Sequence, residues 1–244
     1  MGFNLWALTL NPIPLVTIVT PVLGDTDAAR TLLGQIPATL DVEIIVVDGG
    51  ADPEIESVVT AHGRATLHRA AAGRAHQMNA GAAGASGEWL LFLHADSVLP
   101  PGWLPAMAML GDAVAGGWFR FALDDAAWQA RVIEQLVAWR VRHLRLPYGD
   151  QGLFVRRSVF ERLGGFRELP LLEDVELVRR LVRAGRTVEL PLALGTSSRR
   201  WRRDGWFRRS TKNIAIVGLY LAGVPPSRLA RWYSGAPRQD TRAG

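Results

Sequence analysis

The sequence contains no cysteine. That excludes disulfides, thiol catalysis and thiolate metal sites, and it suits a reducing cytoplasm. Lysine is nearly absent too: Lys212 stands alone among 28 basic side chains, the rest being arginine. Uninterrupted apolar runs of membrane length are also missing. Residues 3–23 are largely apolar, but Pro12, Pro14 and Pro21 break the stretch and no basic segment precedes it, so neither a signal peptide nor a span is expected. Ile214–Val224, about eleven residues, is too short to cross a bilayer. No Gly-x-Gly-x-x-Gly follows the first strand and no Gly-x4-Gly-Lys-Ser/Thr occurs, which argues against a nicotinamide dehydrogenase and a P-loop NTPase.

What is present is enough for a core. The chain has 244 residues, 48% of them hydrophobic, which accommodates one large α/β unit. Charge is uneven. Residues 1–122 carry a net −6 and residues 123–244 a net +11. Genome composition can explain arginine over lysine but not this asymmetry. A basic second half suits phosphates, an acidic acceptor or an anionic membrane surface.

Val16–Thr20 is a β-branched run closed by Pro21 and reads as a first buried strand. A helix is expected over Asp25–Leu40, a second strand over Glu43–Gly50, and a helix opened by Asp52 as N-cap and Pro53 as its first residue. Leu67–Arg69 is a weak third strand, an Ala/Gly-rich helix follows Gly73, and Glu88–His94 is a fourth strand. This alternation implies an α/β fold with a parallel, doubly wound sheet over the first hundred residues. Beyond Pro101 the pattern turns mixed: a strand at Trp118–Ala122, an amphipathic helix at Trp128–Leu146, a strand at Gly152–Arg156, and a helix at Leu172–Ala184 stopped by Gly185.

The polar residues at the ends of these elements are the candidate chemistry. His94 and Asp96 stand two apart after an apolar strand, so on an extended chain both would face one site, where a carboxylate and an imidazole suit a divalent cation. A plain polar turn is the alternative. Asp48 ends the second strand and could bind a base or ribose, or brace its own turn. Arg69 and Arg74 flank a flexible loop before a helix start and could bind an anion or lie in solvent. Glu173-Asp174 opens a helix as caps or as a general base. Ser197-Ser-Arg-Arg-Trp201 sets guanidinium groups around an indole, suited to a diphosphate and a stacked ring. Gly149-Asp150-Gln151-Gly152 borders an acceptor pocket or is a loop brace.

Together, Thr17–Val22, Glu43–Gly50, Leu91–Asp96, Glu173-Asp174 and Ser197–Trp201 resemble, in order and spacing, the family-two glycosyltransferases of the GT-A fold. His-Ala-Asp stands in the place of that family's Asp-x-Asp motif, and Ser197–Trp201 in the place of Gln-x-x-Arg-Trp. The chain is most similar to the small bacterial transferases associated with selenium-domain or radical-SAM proteins, through Gly73–Gly81, Tyr148–Gly152 and Ser198–Trp201. The resemblance implies one GT-A unit: a nucleotide-sugar-binding half over 15–122, an acceptor half over 123–205 and a helical appendage over 206–244. It implies an inverting transfer from a nucleotide-diphosphate sugar to a hydroxyl of a small-molecule or lipid acceptor. Asp48 would bind the nucleoside, helped by Asp25 and Arg74, and Asp96 with His94 would hold Mg²⁺ or Mn²⁺. Asp174 would be the base with Glu173 beside it, Arg200 and Trp201 would lie over diphosphate and acceptor, and Asp150 and Gln151 would border the acceptor.

The expected location is the cytoplasm, with a peripheral contact at the inner membrane face left open through the Trp128–Leu146 helix and the Ile214–Val224 segment. No nucleic-acid motif is present. Two other readings stay open. A nucleotidyltransferase would want a glycine- and Lys/Arg-rich phosphate loop after the first strand, where acids stand instead. A non-catalytic basic module would keep its binding without Asp96 or Asp174 and weaken steeply with salt.

Overall fold

A computed structural model describes residues 14–38 and 40–234. The apolar residues 3–13 and the last ten residues of the expected appendage lie outside them. The first half alternates as the sequence implies: β1 (Val16–Val22), α1 (Thr26–Gly34), β2 (Glu43–Asp48), α2 (Pro53–His62), β3 (Ala65–Arg69), α3 (Arg74–Ala83) and β4 (Trp89–Phe92). Then come β5 (Ser97–Val98), α4 (Trp103–Ala108), β6 (Val114–Leu123), α5 (Trp128–Leu144), a single 3-10 turn (Gly149–Gln151), β7 (Leu153–Arg156) and α6 (Arg157–Leu163). The chain continues through α7 (Glu173–Ala184), β8 (Arg186–Thr196), α8 (Arg199–Asp204), α9 (Trp206–Leu221) and α10 (Pro226–Ser234).

The strands form one mixed sheet in the order β3-β2-β1-β4-β7-β6-β8-β5. β3, β2, β1 and β4 are mutually parallel, while β7 runs antiparallel to both β4 and β6. β6 and β8 pair in parallel, and β5 closes the far edge antiparallel to β8. The mixed second half therefore follows the expectation. Apolar side chains of alternating strand residues split between two cores. Ile18, Ile44, Val46 and Leu91 meet α1 and α2 on one face, and Val19, Ile45, Val47 and Leu90 meet α3 and α7 on the other.

Several boundaries differ from the sequence reading, for identifiable reasons. β1 runs through Pro21 to Val22. Leu93 N–H donates to Val19 O and Gly49 N–H to Val22 O, so odd-numbered residues of β1 face β4. β4 has left the sheet beyond Phe92, and the donor that Pro21 lacks has no partner to lose. α1 stops at Gly34 rather than Leu40: Gln35 turns its side chain away to bond Ser97 O and Leu99 N, and Pro37 cannot continue a helix. Asp52 caps α2 as expected, accepting Glu54 N–H at 2.9 Å.

The connection from β3 through α3 to β4 crosses back over β2 to the other side of β1. The sheet thus reverses direction between β1 and β4. Open α/β sheets bind ligands at such a reversal, beyond the carboxyl ends of the strands.

A candidate active-site cleft at the sheet reversal

Two joined hollows lie where β1 and β4 end. The first, of about 350 Å³, is lined by Pro21, Val22 and Leu23 from β1, by Asp25, by Gly73, Arg74 and Gln77 at the start of α3, and by His94–Asp96. Gln77 fixes the floor, donating through Nε2 to Val22 O at 2.7 Å and Val47 O at 2.8 Å. Arg74, His94, Asp96 and Arg200 are shared with a second hollow of about 110 Å³, where Tyr148, Gly149, Asp150, Asp174, Trp201 and Arg209 join them.

His94 and Asp96 reach this place by a different route from the one the sequence suggests. They are not on an extended strand: β4 ends at Phe92, and Ser97 N–H donates to His94 O at 3.0 Å across a turn. The turn still aims both into both hollows. Burial, then the nearby Arg74 and Arg200, pushes the His94 imidazole down to about 3, so it is neutral at physiological pH with a lone pair to offer.

Asp174 sits in the first turn of α7. Its Oδ2 accepts Gly149 N–H at 2.6 Å and its Oδ1 accepts Val175 N–H at 2.7 Å. These bonds fix the carboxylate's direction and leave lone pairs free. Leu172, the residue before the helix, has φ 67°, so neither acid is the N-cap. Glu173 is buried and meets Arg74 Nε at 3.0 Å; burial first, then Asp174, raises its carboxyl while Arg74 opposes. Glu173 thereby anchors a cation at the cleft.

Asp150 carries an unsatisfied group. Its Oδ1 is buried without a partner. Burial chiefly, with Asp174 and Asp96 adding and Arg140 and Arg74 opposing, pushes its carboxyl up to about 6. Gly149 keeps the space open between the two sides, since a Cβ there would stand 3.0 Å from Asp174 Oδ2 and 3.3 Å from His94 Nε2.

The structure does not bring every expected residue to the cleft. Asp48 is buried beneath its own turn, accepting Gly50 N–H at 2.8 Å and Asp52 N–H at 3.0 Å, and it lines neither hollow. Its carboxylate serves the loop. Gln151 is likewise a brace: Nε2 donates to Phe119 O at 3.2 Å and Oε1 accepts from Tyr148 N–H and Arg140. Asp25 borders the first hollow but also caps α1 and pairs with Arg199 at 3.2 Å. Arg69 pairs with Glu56 outside the cleft. Trp201 is buried and donates through Nε1 to Ser210 at 3.2 Å, with its indole edging the cleft.

Other cleft residues carry no motif. Arg209, Asn213 and Val217 come from α9 and Tyr233 from α10. Arg209 lies over the Trp201 ring at 5.2 Å, and its Nε is buried without a partner. The only sequence signal for them is helical spacing, 209, 213 and 217 lying one turn apart.

The arrangement is a crevice with three arginines, four aspartates (Asp25, Asp96, Asp150 and Asp174) and a neutral imidazole. Among the described residues, no group of three or more His, Asp or Glu side chains is placed to hold a metal unaided. His94 and Asp96 supply two donors, which fits a cation that also takes oxygens from a bound diphosphate and water.

A model of "Glycosyl transferase family 2" matches residues 26–164, more than half the chain. The "Pre-mycofactocin glycosyltransferase" of Mycobacterium tuberculosis is 28% identical over 213 residues, covering 80% of this chain and 45% of that one. The chain thus spans less than half the length of that relative. Among solved structures, S. aureus TarS 1–349 in complex with UDP-GlcNAc aligns with a TM-score of 0.56 at 16% identity, covering 75% of this chain and 58% of that one. Glucosyl-3-phosphoglycerate synthase from Mycobacterium tuberculosis, in complex with Mn2+, UDP and glucosyl-3-phosphoglycerate, aligns at 0.54 and 18% identity, covering 74% and 70%. These likenesses share the GT-A fold; the family match ends before Glu173-Asp174 and Ser197–Trp201, so the roles of those residues rest on the cleft itself. By its sequence, and in agreement with its fold, the chain belongs to glycosyl transferase family 2.

Proposed function

We propose that this protein transfers a sugar from a nucleoside-diphosphate donor to an acceptor hydroxyl, with inversion at the anomeric carbon. The observation that carries the reading is convergence. Residues from five separate stretches, Arg74, His94 with Asp96, Asp150, Asp174, and Arg200, meet at one sheet reversal. The named relatives, a glycosyltransferase and structures holding UDP-GlcNAc or UDP with Mn2+, point the same way.

The donor's nucleoside end would lie in the larger hollow beside Pro21–Leu23 and Asp25. Arg74, held in place by Glu173, and Arg200 would bind the diphosphate oxygens. Asp96 and His94 would hold a divalent cation, Mg²⁺ or Mn²⁺, which when bound neutralises the charge of the leaving diphosphate. Asp174 Oδ would take the proton from the acceptor hydroxyl as that oxygen bonds to the anomeric carbon. The bond from that carbon to the diphosphate oxygen breaks, and the nucleoside diphosphate leaves with the electron pair. Asp48 would act indirectly, by holding the Gly49–Asp52 turn beside Leu23 and Gly24.

Asp174→Ala should keep donor binding and lower kcat by about 10²- to 10⁴-fold, the usual weight of a general base. Product anomeric configuration read by NMR checks the inversion. A retained configuration, or full turnover in Asp174→Ala, would remove Asp174 from this role.

A further inference from the structure

The polar cleft continues into a cavity of different chemistry. About 270 Å³ of space lies between α5 and α9. Its floor is the buried Phe121, Ile133, Leu146 and Val217. Its mouth is framed by side chains that stay about half exposed, among them Leu136 and Trp139 on α5 and Ile214 and Leu221 on α9. At the inner end the lining turns polar, and Tyr148, Asp150, Trp201 and Asn213 there also line the cleft that holds Asp174.

Gly218 is the informative residue on its wall. It lies inside α9, where glycine is less favourable than alanine. Close packing usually explains such a glycine, but a Cβ built here would meet nothing within 4 Å. The missing side chain leaves room in the cavity and serves no helix contact.

We propose that this cavity is the acceptor subsite, and that the acceptor is an alcohol carried on an apolar body, aliphatic or ring-shaped, rather than a free sugar or a charged metabolite. The inference rests on the glycosyltransferase reading above. The apolar body fills the gap between α5 and α9 and the hydroxyl enters the cleft at the Tyr148–Asp150 end, where the unpartnered Asp150 Oδ1 lies. Continuity with the reaction cleft is what assigns the cavity to the acceptor; a cavity closed off from Asp174 would carry no such meaning.

The test titrates 1-butanol and 1-octanol into the full chain, following tryptophan fluorescence, since Trp139 and Trp201 line the cavity. Gly218→Phe adds a large side chain at a wall where a Cβ meets nothing within 4 Å, and Leu136→Asp makes the opposite wall polar at an exposed position. Wild type should bind octanol at least about tenfold more tightly than butanol, because each extra methylene is taken from water. Both variants should lose that preference while binding UDP, GDP or TDP with Mn²⁺ as wild type does. With the matching nucleotide sugar, octanol should consume donor at a lower KM than butanol in wild type only. Octanol bound no better than butanol, octanol binding unchanged in Gly218→Phe, or octanol bound but never glycosylated while butanol is, would each overturn the subsite. Octanol no better than butanol together with capture of wild type by anionic vesicles would make this face a membrane contact instead. Loss of nucleotide binding in wild type would strike the donor reading, leaving the octanol arm to judge the cavity.

Discussion

At the scale of single residues, the cleft depends on atoms that are missing as much as on those present. Gly149 separates His94 from Asp174, and its N–H orients the Asp174 carboxylate. Gly149→Ala would push a methyl against both. We expect kcat to fall about tenfold or more with little change in Tm, because the contacts it crowds are side chains at an open cleft. An unaltered kcat would mean that the base is not held where Gly149 places it. Gly81 is the structural counterpart. Its Cβ would stand 2.4 Å from Val19 Cγ1, so α3 lies against β1 only through a glycine. Gly81→Ala should cost about 1–3 kcal/mol by overpacking, read as a Tm lower by several degrees. Motif residues divide along the same line. Asp96 and Asp174 face the cleft, whereas Gln77, Asn79 and Gln151 spend their side chains on backbone groups of other elements. Residue type and spacing could not separate the two kinds, because an amide that braces a loop and one that meets a ligand look alike until their partners are placed.

At the scale of elements, the first hundred residues were legible because short β-branched runs, caps and Pro/Gly breaks alternate there with a clear period. α2 is the clearest case, with Asp52 and Pro53 marking its start in the sequence and in the structure. What could not be read was where the later helices dock. α9 shows an amphipathic run, but only the fold reveals that one of its faces lines both the cleft and the apolar cavity. The sequence carries the fourth strand on to His94, and an extended chain on to Asp96, because Leu93 is as apolar as the residues before it; the sheet end is set by pairing rather than by composition. Asp125 shows how such elements are fastened. Its carboxylate accepts Arg202 Nε at 2.6 Å and Ala127 N–H at 2.9 Å, joining the start of α5 to α8, which carries Arg200 and Trp201. The Arg202 bond first, then the Ala127 bond, holds this carboxyl down to about 2. The folded group therefore binds its proton less readily than the unfolded one, so its stabilisation is present above about pH 4 and lost as pH falls toward 2. Asp125→Asn should lower Tm at neutral pH and flatten its decline between pH 4 and 2. A decline as steep as that of wild type would assign the acid sensitivity to other groups.

At the scale of the molecule, the charge asymmetry acquires a location. The net positive second half supplies Arg200 and Arg209 to a cleft whose strand ends come from the acidic first half. Arg74, His94 and Asp96 of the first half thus share one cleft with Asp150, Asp174, Arg200 and Arg209 of the second. Among the described residues no helix is long and apolar enough to cross a membrane. The half-exposed apolar side chains of α5 and α9 frame the cavity proposed above as the acceptor subsite. The central claim is that this junction binds a nucleoside diphosphate through a cation held by Asp96. It is tested most directly by thermal unfolding of wild type and Asp96→Ala with UDP-, GDP- and TDP-sugars, each with and without Mn²⁺. Ligand at about 100 times Kd adds roughly 2.7 kcal/mol, several degrees of Tm for a chain of this size. The account predicts a rise with one nucleotide class that requires Mn²⁺ and vanishes in Asp96→Ala. No rise with any donor, or an equal rise in Asp96→Ala, would contradict it.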